Sequence, residues 1–202
     1  MALTRLPKII QRLYGSFFWQ KKSEDTVFIT FDDGPHPTIT PMVLALLKKY
    51  NAHATFFCVG NNVVKYPEVY HQIIDEGHSI GNHTMSHING WNTSIKNYIK
   101  DVMLAAYNIN SNLFRPPYGR IKRKQANFLI KKGYKIVMWS LLTKDYDTLL
   151  SPEQCWHNIA HHIKTGDIIV FHDSEKANER LAYCLPLLLE YCKQRQIKME
   201  KL

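Results

Sequence analysis

Two short segments, Thr30-Phe31-Asp32-Asp33-Gly34-Pro35 and His83-Thr84-Met85-Ser86-His87, hold the residue types from which a catalytic metal centre is made. Histidines four apart project from one face of a helical turn, so His83 and His87 can bind one ion through both imidazoles. A carboxylate from the Asp32–Asp33 pair would complete three protein ligands. The fourth position of a tetrahedral ion then stays open for water, which separates a catalytic zinc site from a closed structural one. The second Asp is left for proton transfer. Spacing alone does not decide the matter, because His157 and His161 are also four apart. Those two sit opposite the apolar stripe Cys155, Ile159 and Ile163, with no acidic pair beside them, and are expected to face solvent.

Other polar residues end or follow apolar runs. Arg115 is followed by two prolines that stiffen the loop, and its permanently charged guanidinium can orient a carboxylate without donating a proton. His172 follows Ile168 to Phe171, and its near-neutral pKa suits protonation of a leaving group. Asp145 can accept a hydrogen bond from that ring and hold it cationic. Each has a plainer reading, a solvated acidic turn for the Asp pair and a satisfied, half-buried imidazole for His172.

To work together these residues must be carried to one place. Strands are expected at 26–31, 54–59, 78–80, 113–115, 134–139, 167–171 and 197–200, alternating with amphipathic stretches. Pro41 after Thr40 opens one helix, and Gly77 closes another that begins near Asn62. Thr93 is placed to cap a helix ending near Ile109, and Gly133 ends the helix before it. Ser151-Pro152-Glu153-Gln154 combines an N-cap, a first-turn proline and a capping-box Gln, which predicts a helix to about Lys164. Seven strands with intervening helices and no compositional break point to an α/β single domain, a parallel barrel that is complete or lacks one unit. Asp32 and Asp33 then follow the first strand, His83 the third, Arg115 ends the fourth, Asp145 follows the fifth and His172 the sixth. These are C-terminal strand ends, where parallel barrels place their active sites.

The 202 residues, 45% hydrophobic and 21% charged, suit one soluble globular core. A net charge of +9 favours polyanions. The Lys and Arg residues are nevertheless scattered, without an aromatic-studded basic stripe, and no nucleic-acid partner is expected. Cys58, Cys155, Cys184 and Cys192 form no CxxC pair and read as reduced, packed thiols. Arg5, Lys8 and Arg12 interrupt the N-terminal apolar residues before a secretory signal core forms, and no run is long enough to span a bilayer. Leu3, Leu6, Ile10, Leu13 and Phe17 fall at near-helical spacing, compatible with peripheral contact through residues 1–20 with an anionic membrane or with docking on the domain itself. The expected location is cytoplasmic or at the inner membrane surface. Residues 1–25 read as a basic, apolar extension packed on or beside the domain formed by residues 26–202.

With these residues in place, the chain resembles the NodB-type polysaccharide deacetylases of carbohydrate esterase family four. Five motifs occur in order: TFDDGP at 30–35, HTMSH at 83–87, RPPYG at 115–119, WSLLTKDY at 139–146 and VFHD at 170–173. The resemblance implies a distorted, incomplete (β/α)7-type barrel holding a divalent metal through Asp33, His83 and His87. It implies Asp32 as general base, Arg115 as its tether, the backbone N–H of Tyr118 as an oxyanion donor, His172 as general acid and Asp145 as its support. Zinc is the expected ion, and cobalt or nickel suits the same donors. The implied reaction removes N-acetyl groups from amino sugars of a chitin-oligomer or peptidoglycan type, releasing acetate. The chain departs from the family pattern at Leu142, where Asp is common, at Tyr146, where Trp is common, and at Val170, where Leu is usual. Deformylation or cleavage of a cyclic amide would use the same groups. A non-catalytic sugar-binding module would keep the fold but has no need of a base and an acid flanking a metal.

Overall fold

The computed structural model describes residues 4, 5, 7 and 14–202. Leu3, Leu6, Lys8, Ile10, Arg12 and Leu13 of the N-terminal amphipathic pattern lie outside the described residues. All of strand β1 (Thr26–Asp32) is buried, as expected of a strand covered on both faces. Its odd-numbered residues Val27, Ile29 and Phe31 join the large apolar cluster, and Phe28 joins a small separate one with Phe57, Val137 and Ile168. The period of two along this strand thus places Phe28, Thr30 and Asp32 in sequence up one face.

Parallel strands flank β1 on both sides: β2 (Ala54–Cys58), β3 (Ser79–Asn82), β4 (Leu113–Phe114) and β5 (Lys135–Ile136) on one, β7 (Ile168–His172) and β6 (Leu141–Leu142) on the other. The sheet order is β5-β4-β3-β2-β1-β7-β6, with β8 (Lys198–Met199) pairing only the first two residues of β1. It is a curled half-barrel. The two ends of that path do not pair with each other, and part of the N-terminal segment lies between them. Phe18 N–H donates to the Ile136 carbonyl at 2.8 Å, and Met138 N–H donates to Phe18 O at 2.7 Å. Leu142 N–H reaches Thr4 O at 2.8 Å, and Gln20 bridges Asp167. Edge groups that would otherwise lack partners are thereby satisfied.

Several expected boundaries moved for local reasons. The expected strand over 134–139 shrinks to β5, beyond which Val137 N–H still donates to Phe114 O at 2.8 Å while the Met138 N–H goes to Phe18 O, and β6 appears as an eighth strand. Asp145 accordingly follows β6. Helix α1 (Ile39–Lys49) begins before Thr40, with His36 Nδ1 accepting the Ile39 N–H at 3.3 Å. The expected helix from Asn62 to Gly77 is two, α2 (Gly60–Lys65) and α3 (Pro67–Asp75), since Pro67 cannot continue the first and suits N1 of the second. Ser94 rather than Thr93 caps α4 (Ile95–Ala106), accepting the Asn97 N–H at 3.2 Å. Helix α5 (Arg123–Lys131) precedes Gly133, which has a positive φ. The capping box of α6 (Pro152–Ala160) forms as read, but the helix stops short of Lys164, whose N–H is drawn instead to Asp167 Oδ2 at 2.8 Å. Helix α7 (Asn178–Gln194) packs beside α6. His157 and His161 are exposed and all four cysteines are free and buried. Among the described residues no helix is long and apolar enough to cross a membrane.

Candidate active site

The face of β1 that carries Phe28, Thr30 and Asp32 becomes more polar towards its C-terminal end, and Arg115 is what meets it. This guanidinium is fully buried. It donates through Nη1 to Thr30 Oγ1 and Asp32 Oδ1, both at 2.7 Å, through Nη2 to Met138 O at 2.9 Å and through Nε to Val137 O at 3.2 Å, and lies over the Phe57 ring. A buried charge is tolerable when it is paired and its donors are satisfied, and both conditions are met here. One Asp32 oxygen is therefore fixed, and among the described residues the other has no protein donor.

Adjacent strand residues point to opposite faces, yet Asp33 lines the same cavity as Asp32. The backbone achieves this with φ 81 at Asp33, a left-handed conformation uncommon outside glycine. Asn62 Nδ2 donates to Asp33 O at 2.7 Å, and Gly34 N–H donates to the buried Asp173 carboxylate at 3.0 Å. A Cβ built on Gly34 would lie 2.1 Å from Asp173 Oδ2, so only glycine fits this approach. Thr40 donates its hydroxyl to the same carboxylate, tying α1 to the turn.

His83 and His87 do converge, but not on a helical turn. The segment is irregular, with φ 67 at Thr84 and φ 54 at His87. Its backbone is claimed from both sides: Thr84 O and Met85 O accept from Gly60 and Asn61 of α2, and the Asp101 carboxylate of α4 accepts the Met85 and Ser86 N–H groups at 2.8 and 3.0 Å. With these groups engaged, no i→i−4 ladder forms. His83 Nδ1 donates to Arg115 O at 2.8 Å, which leaves Nε2 as the ring's lone-pair nitrogen. Asp33 Oδ1 lies 3.7 Å from His83 Nε2 and 3.1 Å from His87 Nε2. The donor atoms of Asp33, His83 and His87 all fall within 4.8 Å of one another, and no other such trio occurs among the described residues. Two imidazoles and a carboxylate are a fitting donor set for a divalent ion with an open position.

On the opposite wall, His172 ends β7 directly beside Asp32 in register. Asp145 grips it twice, accepting the backbone N–H through Oδ2 and the ring Nδ1–H through Oδ1, each at 2.7 Å. Arg180, buried on α7, fixes Asp145 in turn by donating Nε to its carbonyl at 2.6 Å. Tyr118 sits at φ 60 with its ring edge-on to His87, 4.7 Å between centroids. The cavity enclosed measures about 450 Å³ and is lined by Asp32, Asp33, His83, His87, Tyr118 and His172, with Trp139, Leu142 and Val170 as an apolar wall. Arg115 and Asp145 stand behind it.

Electrostatics sort these groups by role. Burial lowers the His83 pKa to about 4, and the carboxylates of Asp32 and Asp33 only partly oppose it, so this ring is neutral. Burial would also lower His172, but the Asp145 charge and hydrogen bond outweigh it, with Asp33 and Asp32 adding, and raise it to about 9. Burial works against charge on Asp33 too, yet the hydrogen bond from His87 and the nearby His172 and His83 hold its carboxyl well below the usual range. The site thus pairs a neutral imidazole beside a carboxylate with a cationic imidazole a short distance away. Such a separation of titrating behaviour marks acid–base sites.

A family model described as polysaccharide deacetylase matches residues 20–137, more than half the chain. The chain belongs to the polysaccharide deacetylase family. Among similar members, a peptidoglycan-N-acetylglucosamine deacetylase of Bacillus cereus is 35% identical over 188 residues, covering 89% of this chain and 88% of its own. A chitooligosaccharide deacetylase of Azorhizobium caulinodans is 33% identical, covering 75% of each. A crystal structure of a peptidoglycan N-acetylglucosamine deacetylase in complex with 4-naphthalen-1-yl-N-oxidanyl-benzamide superposes with a TM-score of 0.82 at 28% identity, covering 96% of this chain and 94% of that one. The half-barrel is therefore the deacetylase fold, and the chain is a hydrolase of the N-deacetylase class.

Asp101, Asp173 and Arg180 were not singled out from the sequence. Asp173 carried a signal, being adjacent to His172 within VFHD. Asp101 and Arg180 did not, because each is one polar residue on an amphipathic helix and looks like any solvent-facing one.

Proposed function

We propose that this deacetylase removes N-acetyl groups from amino sugars of a chitin-oligomer or peptidoglycan-type glycan, releasing acetate, with a divalent ion held by Asp33, His83 and His87. Zinc is the first choice and cobalt or nickel suits the same donors. One observation carries the reading: the three-donor cluster is flanked within one cavity by a carboxylate clamped by Arg115 and an imidazolium clamped by Asp145.

When bound, the ion polarises the amide carbonyl and lowers the pKa of water. The remaining chemistry belongs to side chains. Asp32 accepts the proton of the attacking water through the oxygen that Arg115 leaves free. The Tyr118 N–H donates to the carbonyl oxygen as it gains negative charge. His172, protonated at neutral pH, delivers its Nε2 proton to the departing nitrogen, so an amine leaves rather than an amide anion. Leu142 and Val170 give the acetyl methyl an apolar wall.

Acetate release from N-acetylated chitooligosaccharides and peptidoglycan fragments, with and without chelator, tests this. Chelator is expected to stop it. Asp32→Asn should lower kcat by about 10²–10⁴-fold, the range for a lost general base, while metal content stays at the wild-type level. His83→Ala should lose the metal. Wild-type turnover by Asp32→Asn, or acetate release indifferent to chelator, would remove this function.

A further inference from the structure

Lys and Arg occur throughout the chain, but the imbalance of charge does not. Residues 102–144 contain nine Lys and Arg and no Asp or Glu, so the whole net charge of +9 lies in this stretch, and the remainder carries 17 of each sign. Arg115 is buried and paired with Asp32. Arg120, Arg123, Lys124, Lys131, Lys132 and Lys135 are exposed, and all lie on helix α5 or at its two ends.

The helix gathers them on one side. Gln125, Ala126 and Leu129 are buried, while Lys124, Phe128, Lys131 and Lys132 follow at the spacing of a single helical face. This crowding works against the fold, because Arg123 and Lys124 stand in the first turn, at the positive end of the helix dipole, with no acidic residue there. Phe128 is 40% exposed amid the cations, with Lys132 Nζ 5.9 Å from its ring centroid. Two more exposed aromatics stand near. Phe17 and Trp19 pack in the same apolar cluster as Leu129 and Ile130 of α5, and Tyr14 and Phe18 of that segment are 43% and 47% exposed.

We infer that this ridge is a docking surface for a bilayer containing anionic phospholipid. The concentration of one sign of charge on a helix face, rather than the exposure of any single cation, carries the inference. Headgroup phosphates offset the repulsion along the ridge, and each basic side chain near such a surface adds to the attraction. Aromatic rings set among cations suit the interfacial layer, where a helix lies with its rings at the acyl boundary. Four of the six exposed cations are Lys, whose flexible point charges fit mobile headgroups, whereas the fixed phosphates of a nucleic acid favour the planar Arg fork. Arg120 lines the catalytic cavity and Lys135 begins β5, so the ridge runs from the cavity's rim down the side of the half-barrel. Docking along it sets the mouth of the cavity at the membrane's edge.

The test sediments the metal-loaded full chain with vesicles of phosphatidylcholine, with or without about 30% phosphatidylglycerol. The chain should bind the anionic vesicles and not the neutral ones, and binding should fade as salt is raised. Lys124→Gln, Lys131→Gln and Lys132→Gln together should weaken it about 100-fold, and Phe128→Ala about tenfold. Lys48→Gln, Lys49→Gln and Lys193→Gln together, an equal loss of charge on α1 and α7, should bind as the wild type does. Circular dichroism spectra matching the wild type show that the variants fold. Equal weakening by the two triple variants would mean that net charge and not the ridge is responsible, and overturns the inference. So does failure to bind anionic vesicles, or tighter retention by a short DNA duplex than by those vesicles. None of these results bears on the deacetylase reading.

Discussion

Asp145 is fully buried, and among the described residues its one charge-paired neighbour is His172. The folded His172 pKa of about 9 lies above the ~6.5 of a free imidazole, so the folded state holds more protons between those values. The pair's stabilisation is complete below about pH 6.5 and is lost as pH rises through about 9. Asp145→Asn, which keeps an acceptor but removes the charge, is expected to cost about 3 kcal/mol at pH 6. That cost should shrink towards zero above pH 9 in thermal melts of metal-free protein, and a gap constant with pH would show that charge does not hold this ring. At this scale much was legible. Asp32, Asp33, His83, His87, Arg115 and His172 stand out because chemistry restricts their types and they fall at strand ends. Illegible were the residues that act through another, such as Asp101 and Arg180, whose burial only the assembled helices reveal. The left-handed backbone at Asp33, Thr84, His87, Tyr118 and Lys144 was hidden too, since none of these is glycine. Strain concentrated in the loops around one cavity is what a functional site stores.

Among elements, the HTMSH segment shows how a loop does the work that spacing assigned to a helix. Asp101 on α4 accepts two backbone N–H groups and the Ser86 hydroxyl, and so fixes the position of His87 without touching it. Asp101→Ala should leave the fold intact and weaken divalent metal binding by about 10–100-fold, the usual effect of losing outer support for a ligand. Chelator competition measures this, and unchanged affinity would mean the loop holds itself. Elements with end signals of their own were readable, the capping box of α6 above all. Strand β6, two residues long, was not, because a period of two needs a longer run to show itself, and β5 was read too long, over 134–139. Pro67 was the missed breaker between α2 and α3.

For the molecule as a whole, the half-barrel leaves strand ends open, and the stretch around Phe18 and Gln20 supplies partners for them. Phe18→Pro removes the donor to Ile136 O and should cost about 1–3 kcal/mol, seen as a Tm several degrees lower with metal affinity retained. A Tm equal to the wild type would make this bridge dispensable. The barrel class was legible from alternating strands and helices, whereas its open seam was not, since closure depends on pairings between distant segments that carry no local signal. What the curled sheet accomplishes is convergence: residues from five strand ends meet at one mouth around three donor atoms. Titrating Zn²⁺ into metal-free protein while recording acetate release from an N-acetylated oligosaccharide tests that most directly. Activity should rise from nothing and saturate at one equivalent. Full activity without metal, or none at any metal concentration, would contradict it.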